Sequence, residues 1–137
     1  MKKINNFLFI FSIFLFIFSI FLFLSNNLAI DSQEFYTSVE ISKKNVMGLD
    51  VNGTALKFGR ISRGGSSTRN IIFYNDYGFP VLVETEVSGD ISSFLSHDPT
   101  SLVNEGETKK ITFSVIAPRD QEVGFYEGIV KLKIKPV

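Results

Sequence analysis

Apolar positions follow two different patterns along this chain. Between Phe7 and Leu24 they are continuous, FLFIFSIFLFIFSIFLFL, with Ser12 and Ser19 as the only polar residues and no charge, glycine or proline. As a helix at 1.5 Å per residue this run is about 27 Å long, close to the hydrocarbon thickness of a bilayer, and Leu28, Ala29 and Ile30 extend it. Phenylalanine and isoleucine are modest helix formers in water, but in lipid a single segment can satisfy its own backbone hydrogen bonds only as a helix. Residues 7–30 are therefore expected to form one N-terminal transmembrane helix, a signal anchor behind a short cytoplasmic terminus, 1–6. Two heptads within it, FSIFLFI and FSIFLFL, put Ser12 and Ser19 on one face two turns apart, a spacing at which small residues let membrane helices approach. They are candidate helix–helix contacts; an apolar filler that tolerates serine is the competing reading.

After Ile30 the period becomes two, and no stretch of about eleven residues carries a helical stripe. Residues 31–36 are polar enough to read as a short stalk, leaving 37–137 as one domain. Asn52-Gly53 suits a type I′ turn joining Met47, Leu49 and Val51 to Leu56 and Phe58. Ile71 and Phe73 alternate with Ile72 and Tyr74, apolar on both faces, as in a strand buried mid-sandwich. Val81, Val83, Thr85 and Val87 face one way while Leu82, Glu84, Glu86 and Ser88 face the other. Residues 91–95 form a bridging turn that places Ile91, Phe94 or Leu95 in the core. Ile111, Phe113 and Val115 alternate with Lys110, Thr112 and Ser114 until Pro118, and a last strand alternates Tyr126, Gly128, Val130, Leu132 and Ile134 with Glu127, Ile129 and three lysines. Turn signals separate about seven to eight such antiparallel strands. That pattern predicts an all-β, immunoglobulin-like two-sheet sandwich.

Charge sets the orientation. Lys2 and Lys3 precede the apolar run, Asp31 and Glu34 follow it, and no basic residue appears before Lys43. By the positive-inside tendency the N-terminus stays cytoplasmic and the domain is extracytoplasmic at a cell membrane. Secretion after signal cleavage is the alternative; the apolar core exceeds the usual ~7–15 residues, and Asn27 stands where a small residue should precede Ala29. Basic and acidic residues balance at 14 each, so there is no nucleic-acid footprint.

With no cysteine, thiol catalysis, thiolate metal sites and disulfides are excluded. His97 is the single histidine, in a turn-like Ser-His-Asp-Pro, and reads as a solvated loop residue. Asp90, Asp98 and Glu105 lack the dense acidic spacing of a calcium loop. No catalytic residue, metal or cofactor is expected. Gly64-Gly65 with Arg60, Arg63 and Arg69 could hold an anion, and exposed aromatics such as Tyr74, Tyr77 and Phe79 could take a glycan. Lys131, Lys133 and Lys135 read as a cationic sheet edge that blocks aggregation. Asn52-Gly53-Thr54 matches the N-glycosylation acceptor pattern, although a hairpin tip explains the same residues.

From about Leu49 to Ile134, the series ALKFGRISRGGSSTRNIIFYNDYGFPVLVE, VNEGETKKITFSVIAP and GFYEGIVKLKI resembles the immunoglobulin-like modules related to major sperm protein and the Hydin-type domains. The matching positions are Phe58-Gly59, Asn75, Pro80, Gly106-Glu107-Thr108, Pro118, Gly124, Tyr126 and Gly128. The resemblance implies turn-shaping glycines and prolines, a core role for Tyr126 and no catalytic residue; fold-level likeness names no ligand. The expected function is a non-enzymatic surface module for protein–protein docking or for envelope or filament assembly. Its partners would be the lipid bilayer and another envelope protein or a further copy of itself. The alternative is an extracytoplasmic glycan- or anion-binding module using the sandwich-end loops.

Overall fold

The computed structural model describes residues 2–43 and 55–137. The Asn52-Gly53 turn, its strand at Met47–Val51 and the Asn52 acceptor lie outside the described residues. Helix α1 spans Lys2–Asn27 and is followed by eight strands: β1 (Asp31–Ser42), β2 (Ala55–Ser62), β3 (Ser66–Tyr74), β4 (Val81–Gly89), β5 (Leu95–His97), β6 (Thr100–Val103), β7 (Thr108–Ile116) and β8 (Gly124–Pro136). The apolar window of α1, Asn6–Leu24, is long enough to cross a membrane or to serve as a signal sequence, and none of it is buried by the rest of the chain. Phe7 stacks on Phe11 and Phe14 on Phe18, one turn apart.

The strands form a five-stranded sheet, β2-β1-β8-β4-β6, and a three-stranded sheet, β3-β7-β5. Inward residues of the two meet in one core in which Val83, Phe113, Val115, Val130, Leu132 and Ile134 are all fully buried. The alternation of β4 and β7 holds as read from the sequence. Ile91, Phe94 and Leu95 all enter the core from a 3-10 turn at Asp90–Ser93 and the start of β5. On one side the sheets curl together: Ser67 Oγ donates to the Phe58 carbonyl at 3.0 Å, and Arg69 Nε to the Lys57 carbonyl at 2.9 Å.

The structure corrects four expectations. Residues 31–36 are no stalk. Asp31 already pairs with Ile134 in the β1–β8 ladder, and the Ile30 amide donates to the Ile134 carbonyl at 2.8 Å. Their polarity belongs to a strand end whose side chains face water, because ladder bonds are made by backbone whatever the side chain. The pairing is not wholly antiparallel either: β1 and β2 run parallel, which a sequence separation of about a dozen residues permits. The lysines of β8 lie on a central strand with β1 on one side and β4 on the other, not on an edge. Finally, Ile72 and Tyr74 point outward from β3, an edge strand whose inner face alone is buried; Ile72 is 64% exposed.

At Gly89 and Gly128, which pair across β4 and β8, the strands approach closely. A Cβ on Gly128 would run into the Ser88 carbonyl oxygen and lie 2.9 Å from Ile91 Cγ2, whereas one on Gly124 meets only a Tyr126 ring carbon at 3.8 Å. Gly128→Ala should therefore destabilise the fold by about 1–3 kcal/mol through overpacking, and Gly124→Ala by much less. Denaturant unfolding of the two full-length variants checks this ordering.

Candidate functional site

The sandwich has a near end, where α1 joins β1 at Asp31, and a far end. Strands β1, β2, β4 and β7 run from near to far with their ladders, and β3 and β8 run back. Tyr77 and Phe79, in the turn after β3, belong to the near end, their rings 6.3 Å apart. Arg63, in the turn before β3, belongs to the far end. The length of β3, about 27 Å at 3.3 Å per residue, separates the two groups. Nor are the three arginines one cradle: Arg60 pairs with Glu40 at 2.9 Å, and Arg69 Nε and Nη1 bond the Lys57 and Thr68 carbonyls. The structure thus does not bring the sequence-predicted contacts Arg60, Arg63, Arg69, Tyr77 and Phe79 together. Ser12 and Ser19 both lie exposed in α1.

The near end is organised by Asn75, buried after β3. Its amide Nδ2 donates to the Phe79 and Val103 carbonyls at 2.9 and 3.0 Å, and its Oδ1 accepts from the Tyr77 amide at 3.1 Å. Tyr77, half-buried against the core, donates its hydroxyl to Asp31 Oδ2 at 2.6 Å, tying this turn to the start of β1. Tyr126 is a packing residue as expected: its ring meets Phe94 edge-on at 5.1 Å and its hydroxyl donates to the Glu122 carbonyl at 2.8 Å.

The two outer faces differ in chemistry. On the five-stranded sheet, lysines of β8 alternate with glutamates of both neighbours: Lys131 reaches Glu34 at 2.9 Å, Lys133 reaches Glu86 at 2.5 Å and Lys135 reaches Glu84 at 2.8 Å. These contacts raise the Lys131 ammonium and lower the Glu86 carboxyl from their ordinary values, in each case chiefly through the hydrogen bond to the partner. On the three-stranded sheet the outward positions carry hydroxyls and amides. Thr68 bonds Ser114 and Thr112 donates to Asn70, both at 3.0 Å, with Ile72, Tyr74 and Ile116 exposed among them.

Where β4 ends, the charged face opens into a groove of about 370 Å³ lined by Tyr36, Ser88, Gly89, Asp90, Glu127, Gly128 and Ile129. The Tyr36 hydroxyl donates to Glu127 Oε2 at 2.7 Å, which raises the phenol above its ordinary value. Phe125, two residues before Glu127 on the same face, is 61% exposed. Sequence reasoning had missed this feature. Its trace was Ile129 among the outward positions of β8, but the approach of Ser88 and Asp90 depends on where β4 stops.

His97 is not a solvated loop residue. It ends β5, tilted against Phe113 at 6.1 Å, and its buried Nδ1 has no hydrogen-bond partner among the described residues. Among those residues no group of three His, Cys, Asp or Glu side chains could hold a metal ion. No family model, curated protein or solved structure matches the chain.

The Asp31–Tyr77 bond has a defined pH window. Accepting the Tyr77 hydroxyl, and then the Ser32 amide, holds Asp31 below the usual carboxylate range; the same bond, with smaller contributions from burial and nearby charge, pushes Tyr77 up to about 12. A depressed carboxyl stabilises the fold above its unfolded value and loses that contribution as pH falls through the folded one. A raised phenol stabilises below about 10 and loses its contribution as pH rises through about 12. The melting-temperature gap between wild type and Tyr77→Phe should be flat from about pH 5 to 9 and shrink beyond both ends. A melting series across pH measures it.

Proposed function

We propose that this protein is a non-enzymatic docking module, held by α1 in a cell membrane with its N-terminus cytoplasmic and its sandwich on the outer side, and working in envelope or filament assembly. One observation carries the reading. An apolar helix that the chain leaves wholly uncovered leads through residues 28–30 directly into β1. Such a surface needs an apolar solvent, and the bilayer is the one that also satisfies its length. With so short a connection the near end of the sandwich stands at the headgroup layer, where Tyr77 and Phe79 suit the interface that favours aromatic rings. Exposed apolar side chains on both faces, Ile72 and Ile116 on one and Phe125 and Ile129 on the other, supply docking area.

We further propose an immunoglobulin-like module related to the major sperm protein and Hydin-type domains. It is supported by the two-sheet arrangement, by Asn75 bracing the near-end turn, and by the close approach at Gly128. The parallel β1–β2 pair departs from a purely antiparallel plan.

The chain has no tryptophan, so single substitutions give clean reporters of depth. In vesicles whose acyl chains are brominated near the headgroup, Phe79→Trp should be quenched at least about twofold more than Phe125→Trp. Equal quenching would remove the near-end placement. Release of the native protein by alkaline carbonate, with a mass lacking the N-terminal segment, would replace the anchor by a cleaved signal.

A further inference from the structure

We propose that the outer face of the three-stranded sheet, β3-β7-β5, binds a neutral polyhydroxyl polymer, a glycan of the envelope, which lies across its hydroxyl and amide side chains with a sugar ring on Tyr74. The inference rests on the docking reading above and names its partner.

The two sheets share one core, yet their outer faces carry different chemistry. On the five-stranded sheet Glu34, Glu40, Glu84 and Glu86 each hold a lysine or arginine. Across the outward positions of β3, β7 and β5 the one charged residue is Lys110, opposite Ile72. Hydroxyls and amides dominate instead: Thr68 bonds Ser114 and Thr112 donates to Asn70, both at 3.0 Å, and Ser96 stands beside Ser114. A hydroxyl donates once and accepts twice, so these pairings leave every member with capacity for a ligand. In the Thr68–Ser114 bond either oxygen can be the donor. A sugar presents the same chemistry, hydroxyls that both donate and accept, around a ring whose C–H face is apolar. Tyr74, 57% exposed toward the near end of this face, offers that ring a flat aromatic surface, with Ile72 beside it on β3.

Charge and area select this occupant. A nucleic acid or an anionic polymer needs a basic stripe, which one lysine does not make. A lipid surface needs contiguous apolar side chains, whereas Ile116, opposite Ser66, and Ile72, opposite Lys110, stand toward different ends of the ladder. A protein partner, a second copy included, is typically held by about 800 Å² per side, with serine depleted from the contact. The face is too small for that. Two strands of nine residues and one of three, about 4.8 Å apart and rising about 3.3 Å per residue, present a plane of about 400 Å². A polymer needs no large single contact, because many copies anchored in one membrane engage the same chain at once.

The test passes phosphatidylcholine vesicles carrying the full-length protein over four immobilised neutral polymers, mannan, galactan, cellulose and chitin, and over anionic polygalacturonate. Retention on at least one neutral polymer is expected, and it should survive about 1 M salt, which screens charge attraction beyond about 3 Å. Tyr74→Ala should lower it at least about fivefold through lost ring contact. Thr112→Glu, which sets a carboxylate in the middle of the face, should lower it as much, while Leu102→Ala on the opposite sheet should leave it unchanged. Circular dichroism checks that the variants fold; all three positions are exposed. No retention on any neutral polymer overturns the proposal. So does retention that salt abolishes, that is stronger on polygalacturonate, or that is indifferent to either Tyr74→Ala or Thr112→Glu. The chain has no cysteine, so Asn70→Cys gives a single crosslinking point on this face. A crosslink from it to an envelope protein in the native membrane, with no polymer bound, keeps the docking reading and overturns the glycan. Failure of the docking reading itself shows separately, as loss of the anchor.

Discussion

The double pairing of β8 is the constraint on which the other features depend. Over its near half it is hydrogen-bonded to β1 on one side and to β4 on the other, in register from Asp31↔Ile134 and Val83↔Ile134 onward. Ladder bonds leave successive side chains alternately inside and outside. Fixing β8 therefore places Val130, Leu132 and Ile134 in the core and lines up Lys131, Lys133 and Lys135 outside, between the glutamates of β1 and β4. A one-residue slip would bury three lysines and expose three aliphatics. Register is thus enforced by the core, and the surface ion pairs, screened by salt, follow from it.

The same pairing explains the groove. β4 leaves β8 after the Gly89–Gly128 contact, and the chain turns through Asp90–Ser93 to put Ile91 in the core. From that point β8 continues with β1 alone. Its outward residues Phe125 and Glu127 lack the neighbour that supplies glutamates to the lysines further on. The region where the charge ladder is incomplete is the region where a strand has ended, so a site arises from topology with no special loop.

How much of this was legible in the sequence depends on which interactions decide each element. Strands with one dry and one wet face, β4 and β7, were read correctly because alternation reports burial directly. The apolar run of α1 was equally plain. Missed features depended on partners distant in sequence. The start of β1 looked like a linker because DSQE has no apolar member to mark a face, yet its backbone is paired to residues near the C-terminus. Ile72 and Tyr74 looked buried because an apolar residue on an edge strand has the same local pattern as one in a central strand. Arg69 and Tyr77 looked available to a ligand, whereas one bonds carbonyls of β2 and β3 and the other anchors Asp31.

Loss of the stalk has the widest consequence for the proposed role. A flexible tether would let the sandwich meet partners in any orientation, and its surfaces would be equivalent. A connection of only residues 28–30, closed by the Ile30–Ile134 and Tyr77–Asp31 hydrogen bonds, removes most of that freedom. If α1 is held in a bilayer as proposed, surfaces then differ by height: the aromatic near end is the one beside the bilayer boundary, and the far end projects. The paired loops of Arg63 and Arg119 are found there, whereas the groove lies part-way along β1, where Tyr36 stands opposite Ala55 and Ile129. In the proposed anchored arrangement, rigid attachment would hold each surface at one fixed level in every copy, so that any contact between neighbours repeats in a plane.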